Sequence, residues 1–257
     1  MDINDNQSYI IFLLSKEKNL IIYGKNSVYE GLIEKVKFDS IYIEKGKREK
    51  FRNLINIANE NNIPVLFRKK KEIEKISRSR KHQGICASLI LPDNIVEDEN
   101  NFELTENIKN ILILDGITDT GNLGAIVRSA VLLNCHLLIL PRDNSARLTP
   151  QTFKASAGAV YKQRIVYVNN INTWISILRE NGYKIISLCK EGKTDICEIG
   201  KIEKAVCIIG SEHSGIRKSI KKNSDYLVFI PSTSKIDSFN ASVAAAIAMW
   251  EIFQKKT

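Results

Sequence analysis

The chain has 257 residues, carries 38 Lys+Arg against 29 Asp+Glu for a formal charge of +9, and is 44% apolar and 26% charged. That is an ordinary globular composition, which excludes a disordered or fibrous protein, and no stretch approaches the ~18 uninterrupted apolar residues of a membrane span. The surplus of +9 suggests an acidic partner, nucleic acid above all, although a Lys-, Ile- and Asn-rich proteome gives the same bias with no function attached.

Met1 to Asn6 holds two aspartates and no basic residue, unlike the basic start of a secretory signal, so the expected location is the cytoplasm. Cys86, Cys135, Cys189, Cys197 and Cys207 form no C-x-x-C pair, and His82, His136 and His213 are isolated. Neither a disulfide framework nor a metal site is expected from such spacing. The apolar patch Tyr9–Leu14 could pack as a short helix.

Helical and strand patterns then alternate. Ser27 to Val36 is amphipathic and follows a turn at Gly24; 40–43 is a short β-rich run; Arg48 to Asn61 has apolar residues at 51, 54, 55 and 58, one face of a helix. Residues 63–67 read as a strand, 70–76 as a short helix, and 84–91 as a strand stopped by Pro92. The expected product is a small α/β domain over 1–93, with 1–20 as an N-terminal extension. Arg68, Lys69, Lys70, Lys71, Arg78, Arg80, Lys81 and His82 form its best candidate surface for RNA phosphates. Residues 94–107 carry five acidic side chains and no basic one, between blocks of net charge +6 and +8, and read as an exposed linker.

Beyond the linker, strands are expected at 111–115, 136–140, 164–168, 184–188, 205–209 and 226–230, and helices at 123–133, 171–181, 215–222 and 240–254. Runs such as ILILD and VCIIG suit a parallel sheet covered on both faces, with a ligand crevice beyond its C-terminal strand ends. Three segments there carry chemistry. Leu114 to Ala130 is strand, Gly-rich turn and helix, with Asn122 near the helix start and Arg128 within the helix. It is neither G-x-G-x-x-G nor a Walker loop. Val206 to Ile220 repeats the plan, with Gly210 and Gly215 bracketing Glu212, a carboxylate placed to accept from Arg or backbone amides or to cap a helix. Phe229 to Phe253 ends a strand at Ile230-Pro231, passes Ser238, Phe239, Asn240 and Ser242, and enters an Ala-rich helix suited to close packing within the chain or across a dimer.

Each segment alone is a weak signal. Their order and spacing resemble the three motifs of the SpoU (TrmH-like) RNA ribose 2′-O-methyltransferases over residues 108–257. The first block resembles the family's L30e-like substrate-binding domain, and Gly24-x-x-x-Val28 with His82-Gln83-Gly84 is similar to the subgroup acting on a guanosine of bacterial 23S ribosomal RNA. The resemblance implies an α/β protein whose C-terminal parallel-sheet domain holds a deep trefoil knot, works as a homodimer and binds S-adenosylmethionine. It implies cofactor contacts at Gly210, Gly215, Ile230, Pro231 and Phe239, and catalytic or positioning roles for Arg128, Asn122, Glu212, Ser238 and Asn240. Arg128 matches the family's catalytic arginine; a guanidinium, which offers donors and no acceptor, suits stabilisation of an alkoxide and an adjacent phosphate better than proton abstraction. Two departures stand out: Phe239 where Leu is common, and Asp119-Thr120 in place of an Asp-Pro turn, which leaves that loop less rigid. A transfer RNA substrate, or a non-catalytic RNA-binding role, is the alternative.

Overall fold

The computed structural model describes residues 19–233 and 238–254. The Tyr9–Leu14 patch lies outside the described residues. Two compact units emerge: residues up to Asp93 together with Arg147–Lys162, and Asn94–Ala146 together with the chain from Gln163.

The first unit is built on a mixed four-stranded sheet of order β1-β4-β2-β3, from β1 (Asn19–Tyr23), β2 (Phe38–Glu44), β3 (Val65–Arg68) and β4 (Ile85–Ile90). β4 runs antiparallel to β1 and β2, and β3 runs parallel to β2. Three helices join the strands: α1 (Lys25–Ile33), α2 (Arg52–Glu60) and α3 (Lys70–Ser77). The 51, 54, 55, 58 stripe is buried as its spacing predicts. Strand β1 escaped sequence reading because its alternation is short and runs straight into the Gly24 turn. Gly31 is required by packing: a Cβ there would lie 2.6 Å from the Phe38 ring.

Residues 147–162, expected in the C-terminal domain, group with this first unit. Helix α5 (Pro150–Ala155) packs against β1. Phe153 is fully buried, its carbonyl accepts from Ser27 Oγ at 3.0 Å, and its ring lies 5.4 Å from that of Tyr161. Lys162 closes the segment on Glu30 and Glu34. A six-residue helix holds too few turns for a hydrophobic period to show; its one sequence signal is the Thr149 N-cap followed by Pro150 at the first helical position.

The second unit is an eight-stranded sheet of order β10-β12-β9-β11-β6-β7-β8-β5, with every neighbouring pair parallel. Its long strands are β6 (Asn110–Asp115), β7 (Leu137–Pro141), β8 (Ile165–Val168), β9 (Lys184–Leu188), β11 (Ala205–Gly210) and β12 (Tyr226–Phe229). Two short strands, β5 (Ile95–Val96) and β10 (Thr194–Asp195), guard the edges. Helices α4 (Thr120–Leu132), α6 (Ile171–Glu180), α7 (Lys218–Lys222) and α8 (Ala241–Phe253) complete the unit. β6 and β11 are buried nearly throughout, as expected of strands covered on both faces.

The acidic stretch is packed into the second unit rather than free, although seven of its 14 residues are exposed. Ile95 pairs with Ile165 as an edge strand. Glu99 accepts from Trp174 Nε1 at 2.5 Å and from the Asn169 amide at 3.1 Å, Phe102 packs on the Trp174 ring, and Arg142 binds the Glu97 carbonyl. The carboxylates of Glu99 and Glu106 find specific donors elsewhere in the second unit, Trp174 with the Asn169 amide and Lys204 respectively, which composition cannot reveal.

From β6 the chain proceeds outward to β7 and β8, then crosses over to lay β9 and β11 on the other side of β6. That reversal at the β6/β11 pair is a topological switch point, where an open parallel sheet leaves a crevice at its C-terminal edge.

Candidate active site

Three strand ends converge on the crevice. β6 ends at Asp115, which stands beside Gly210, the last residue of β11. The turn after β6 leads to α4, where Asp119 accepts the Asn122 amide at 2.6 Å as N-cap, so the Asp-Thr sequence holds the helix start without a proline. The loop after β11 is a compact ring: Ser211 bridges Gly215, whose N–H donates to the Ser211 carbonyl at 3.0 Å. Gly215 sits at φ +62°, and a Cβ on Gly210 would lie 2.2 Å from the Gly215 carbonyl carbon. Gly210 is therefore dictated by backbone meeting backbone, and Gly215 by its left-handed conformation.

This ring presents Glu212 to the other two segments. One oxygen, Oε1, accepts from Asn122 Nδ2 at 3.1 Å, Asn240 Nδ2 at 2.7 Å and the Ala241 amide at 3.1 Å. Asn240 also donates to Asn122 Oδ1 at 3.1 Å, while its own Oδ1 caps α8 by accepting from Ser242. Glu212 thus serves as a cap of the α8 N-terminus and as the node joining all three motifs; the carboxylate is favoured there by the helix dipole.

Beside the node lies a cavity of about 680 Å³. Gly210, Gly215, Ile230, Pro231, Ser238 and Phe239 all line it, together with Glu212. Sequence reading missed its far wall, Leu188 to Glu191, because that loop follows β9 with no motif residue to mark it. It also missed Asp115 and Arg217, whose ion pair ties the ring to the sheet.

Arg128 is not brought to this node. At about 100° and ~1.5 Å per residue, it lies ~120° around α4 from Asn122 and ~9 Å further along. Its side chain is exposed, and it has no hydrogen bond or ion pair among the described residues.

In the first unit, Lys69, Lys70, Lys71, Arg78, Arg80 and Lys81 are exposed and Arg68 is half-buried. His82 departs from its expected role as a phosphate contact. It is 2% exposed, and its Nδ1 accepts the Gly84 amide at 2.8 Å. Burial lowers its pKa, against the pull of Glu44 and Glu74. It shapes a turn in which Gln83 and Gly84 both have positive φ and Gln83 Oε1 receives the Lys25 amide at the start of α1. Lys154 Nζ binds the Lys81 carbonyl at 2.9 Å and lies over the Tyr23 ring, so α5 adds a cation to the same face.

A model of the SpoU rRNA methylase family matches residues 109–250. The chain belongs to the SpoU rRNA methylase family. A second model, for the substrate-binding domain of RNA 2′-O ribose methyltransferases, matches residues 21–92. The SpoU chain is 32% identical over 246 residues to a TrmH family tRNA/rRNA methyltransferase of Staphylococcus saprophyticus, covering 93% of this chain and 97% of that one. It is also 32% identical to the 23S rRNA (guanosine-2′-O-)-methyltransferase RlmB of Neisseria meningitidis serogroup B, over 90% of this chain and 93% of the other. Among solved folds, the SpoU methyltransferase AviRb of Streptomyces viridochromogenes, in complex with AdoMet, superposes with a TM-score of 0.76 at 18% identity, covering 96% of each chain. An AdoMet-bound rRNA methyltransferase of Sinorhizobium meliloti gives 0.75 at 21% identity, over 91% of this chain and 86% of that one.

Proposed function

We propose that this SpoU-family chain transfers a methyl group from S-adenosylmethionine to the ribose 2′-OH of a guanosine in 23S ribosomal RNA, acting as a cytoplasmic homodimer with a trefoil knot in its C-terminal unit. Methylation of RNA at the ribose 2′-O is the family's chemistry. The observation that carries the reading is the Glu212 node, which gathers Asn122, Asn240 and the α8 N-terminus beside the cavity.

The residues present fit the cofactor. The cavity is of ligand size, lies at the C-terminal edge of a parallel sheet, and is lined by bare backbone at Gly210 and Gly215 and by the apolar Ile230 and Phe239. Backbone groups at Gly210, Ile230 and Phe239 would hold the adenosine. When bound there, S-adenosylmethionine supplies an electrophilic methyl group on its sulfonium.

The chain's own residues must make a poor nucleophile reactive and align it. Arg128 brings a guanidinium cation with five N–H donors and no acceptor, so its part is to stabilise the developing alkoxide and grip the neighbouring phosphate. Ser238 and Asn240 position ribose or phosphate oxygens, and Glu212 fixes the Asn240 amide. Because Arg128 stands away from its own node, a second copy is a natural complement. Val243 and Trp250, seven residues apart on one face of α8, are 46% and 60% exposed, and Leu132 on the adjoining α4 is 75% exposed. Such an apolar face on two packed helices suits a homodimer.

Ribosomal RNA is favoured over transfer RNA by the similarity to the Neisseria protein and by the substrate-binding domain. The tRNA-modifying TrmH/SpoU structure of A. aeolicus superposes on only 56% of this chain. The dual tRNA/rRNA naming of the Staphylococcus relative keeps a transfer RNA substrate as the second reading. A tritiated-methyl assay with ribosomal and transfer RNA, followed by ribose mapping, decides between them. Label on a 23S guanosine is the expected result; label on transfer RNA supports the second reading; no label on either indicates a non-catalytic RNA-binding protein.

A further inference from the structure

Asp115 and Arg217 sit at the foot of the cofactor loop. The Asp115 side chain is 4% exposed, and both of its oxygens are taken by one residue. Oδ1 accepts from Arg217 Nε at 2.7 Å and Oδ2 accepts the Arg217 backbone N–H at 2.9 Å. Arg217 is where the 211–216 ring ends, and Asp115 stands in register with Gly210, where the ring begins. One buried carboxylate therefore pins the ring's return beside its departure. Between those points Ile216 is buried in the core and the Ser211–Gly215 bridge closes the ring, which leaves little slack.

The ring carries two things at once: the Gly210–Gly215 backbone that walls the cavity, and the Glu212 carboxylate that holds Asn122, Asn240 and Ala241. Loosening its foot moves both. A pair of charge-assisted bonds to one residue fixes orientation as well as distance. Removing either partner leaves the other to find new company, and the ring with it.

We propose that Asp115 and Arg217 are positioning residues for the methyl-transfer reaction: their ion pair sets the height of the 210–217 loop and thereby S-adenosylmethionine affinity and the seating of Glu212. This rests on the cofactor assignment under Proposed function. Neither residue lines the cavity, so neither acts by touching the cofactor.

Calorimetric titration of S-adenosylmethionine into the full chain tests it, with Asp115→Asn, Arg217→Gln, Arg217→Lys and the double Asp115→Asn/Arg217→Gln. Each of the first two is expected to weaken binding about tenfold, to raise KM for the cofactor and, through the displaced Glu212, to lower kcat, since ångström-scale misplacement costs up to ~100-fold. The double variant should be no weaker than the weaker single one, and Arg217→Lys should recover part of the loss. Should Asp115→Asn fail to fold, Arg217→Gln carries the test, its side chain being 56% exposed. Wild-type affinity and KM in Arg217→Gln, or a loss confined to thermal stability, overturns the proposal. A wild-type protein that does not bind S-adenosylmethionine overturns the cofactor assignment itself.

Discussion

Asn122, Glu212 and Asn240 were legible as residues because motif order and spacing mark them, but their roles were not. That one Glu212 oxygen takes three donors depends on where three loops meet, and spacing along the chain does not encode that meeting. His82 shows the opposite failure. It lies within a run of cations and reads as one of them, yet the chain turns it inward to accept the Gly84 amide. An Nδ1 that accepts must be unprotonated, and burial lowers the pKa from its ordinary 6.5. The unfolded chain therefore takes up the proton first. The stability this histidine contributes is complete above the ordinary value and is lost as pH falls from there through the lowered one. Thermal melts at pH 7.5 and about 5.5 should show a drop in Tm for the wild type. The drop should shrink in His82→Asn, whose Oδ1 can still accept from Gly84. Half-buried His136, its pKa lowered likewise by burial and then by Lys109, leaves a residual slope. An unchanged slope in His82→Asn would show that the buried histidine is not what titrates.

At the level of elements, long periodic segments were readable and short ones were not. The six principal strands and four helices expected of the second unit are present with small shifts at their ends. The two-residue strands β5 and β10 and the six-residue α5 were missed, because each is stabilised by what it packs on rather than by a pattern of its own. The acidic segment is the instructive case. It reads as polar filler, yet Glu99 bonds Trp174 Nε1 and the Asn169 amide, and Phe102 lies 5.7 Å from the Trp174 ring. Glu99→Ala removes the acceptor for both donors and should destabilise the second unit by about 1–3 kcal/mol. Trp174 should also report the change, since its indole N–H loses a carboxylate partner. A urea titration followed by tryptophan fluorescence should show a lower midpoint and a shifted native spectrum. If both match the wild type, the segment is undocked in solution and reverts to the linker that its composition describes.

For the whole molecule, the decisive question is where Arg128 acts. One chain assembles the node, the cavity and the cofactor loop, but leaves its catalytic-arginine candidate exposed and ~120° around α4 from Asn122. Exposed Leu132, Val243 and Trp250 on the same helix pair offer a surface through which a second copy could bring its own Arg128 to the first copy's node. Arg128→Ala should then abolish methyl transfer while leaving S-adenosylmethionine binding nearly intact, and Asn240→Ala should be defective at the node. Mixing the two inactive variants after dissociation and reassociation distinguishes the arrangements. If the arginine is supplied by the partner, each mixed dimer holds one site with both defects and one with neither. With about half the dimers mixed, activity returns to about a quarter of the wild-type level. If Arg128 serves its own chain, every site keeps one defect and nothing returns. Recovery would make the homodimer a requirement of the chemistry; no recovery, with mixed dimers verified by mass, would place Arg128 at its own node and require α4 to move on binding RNA.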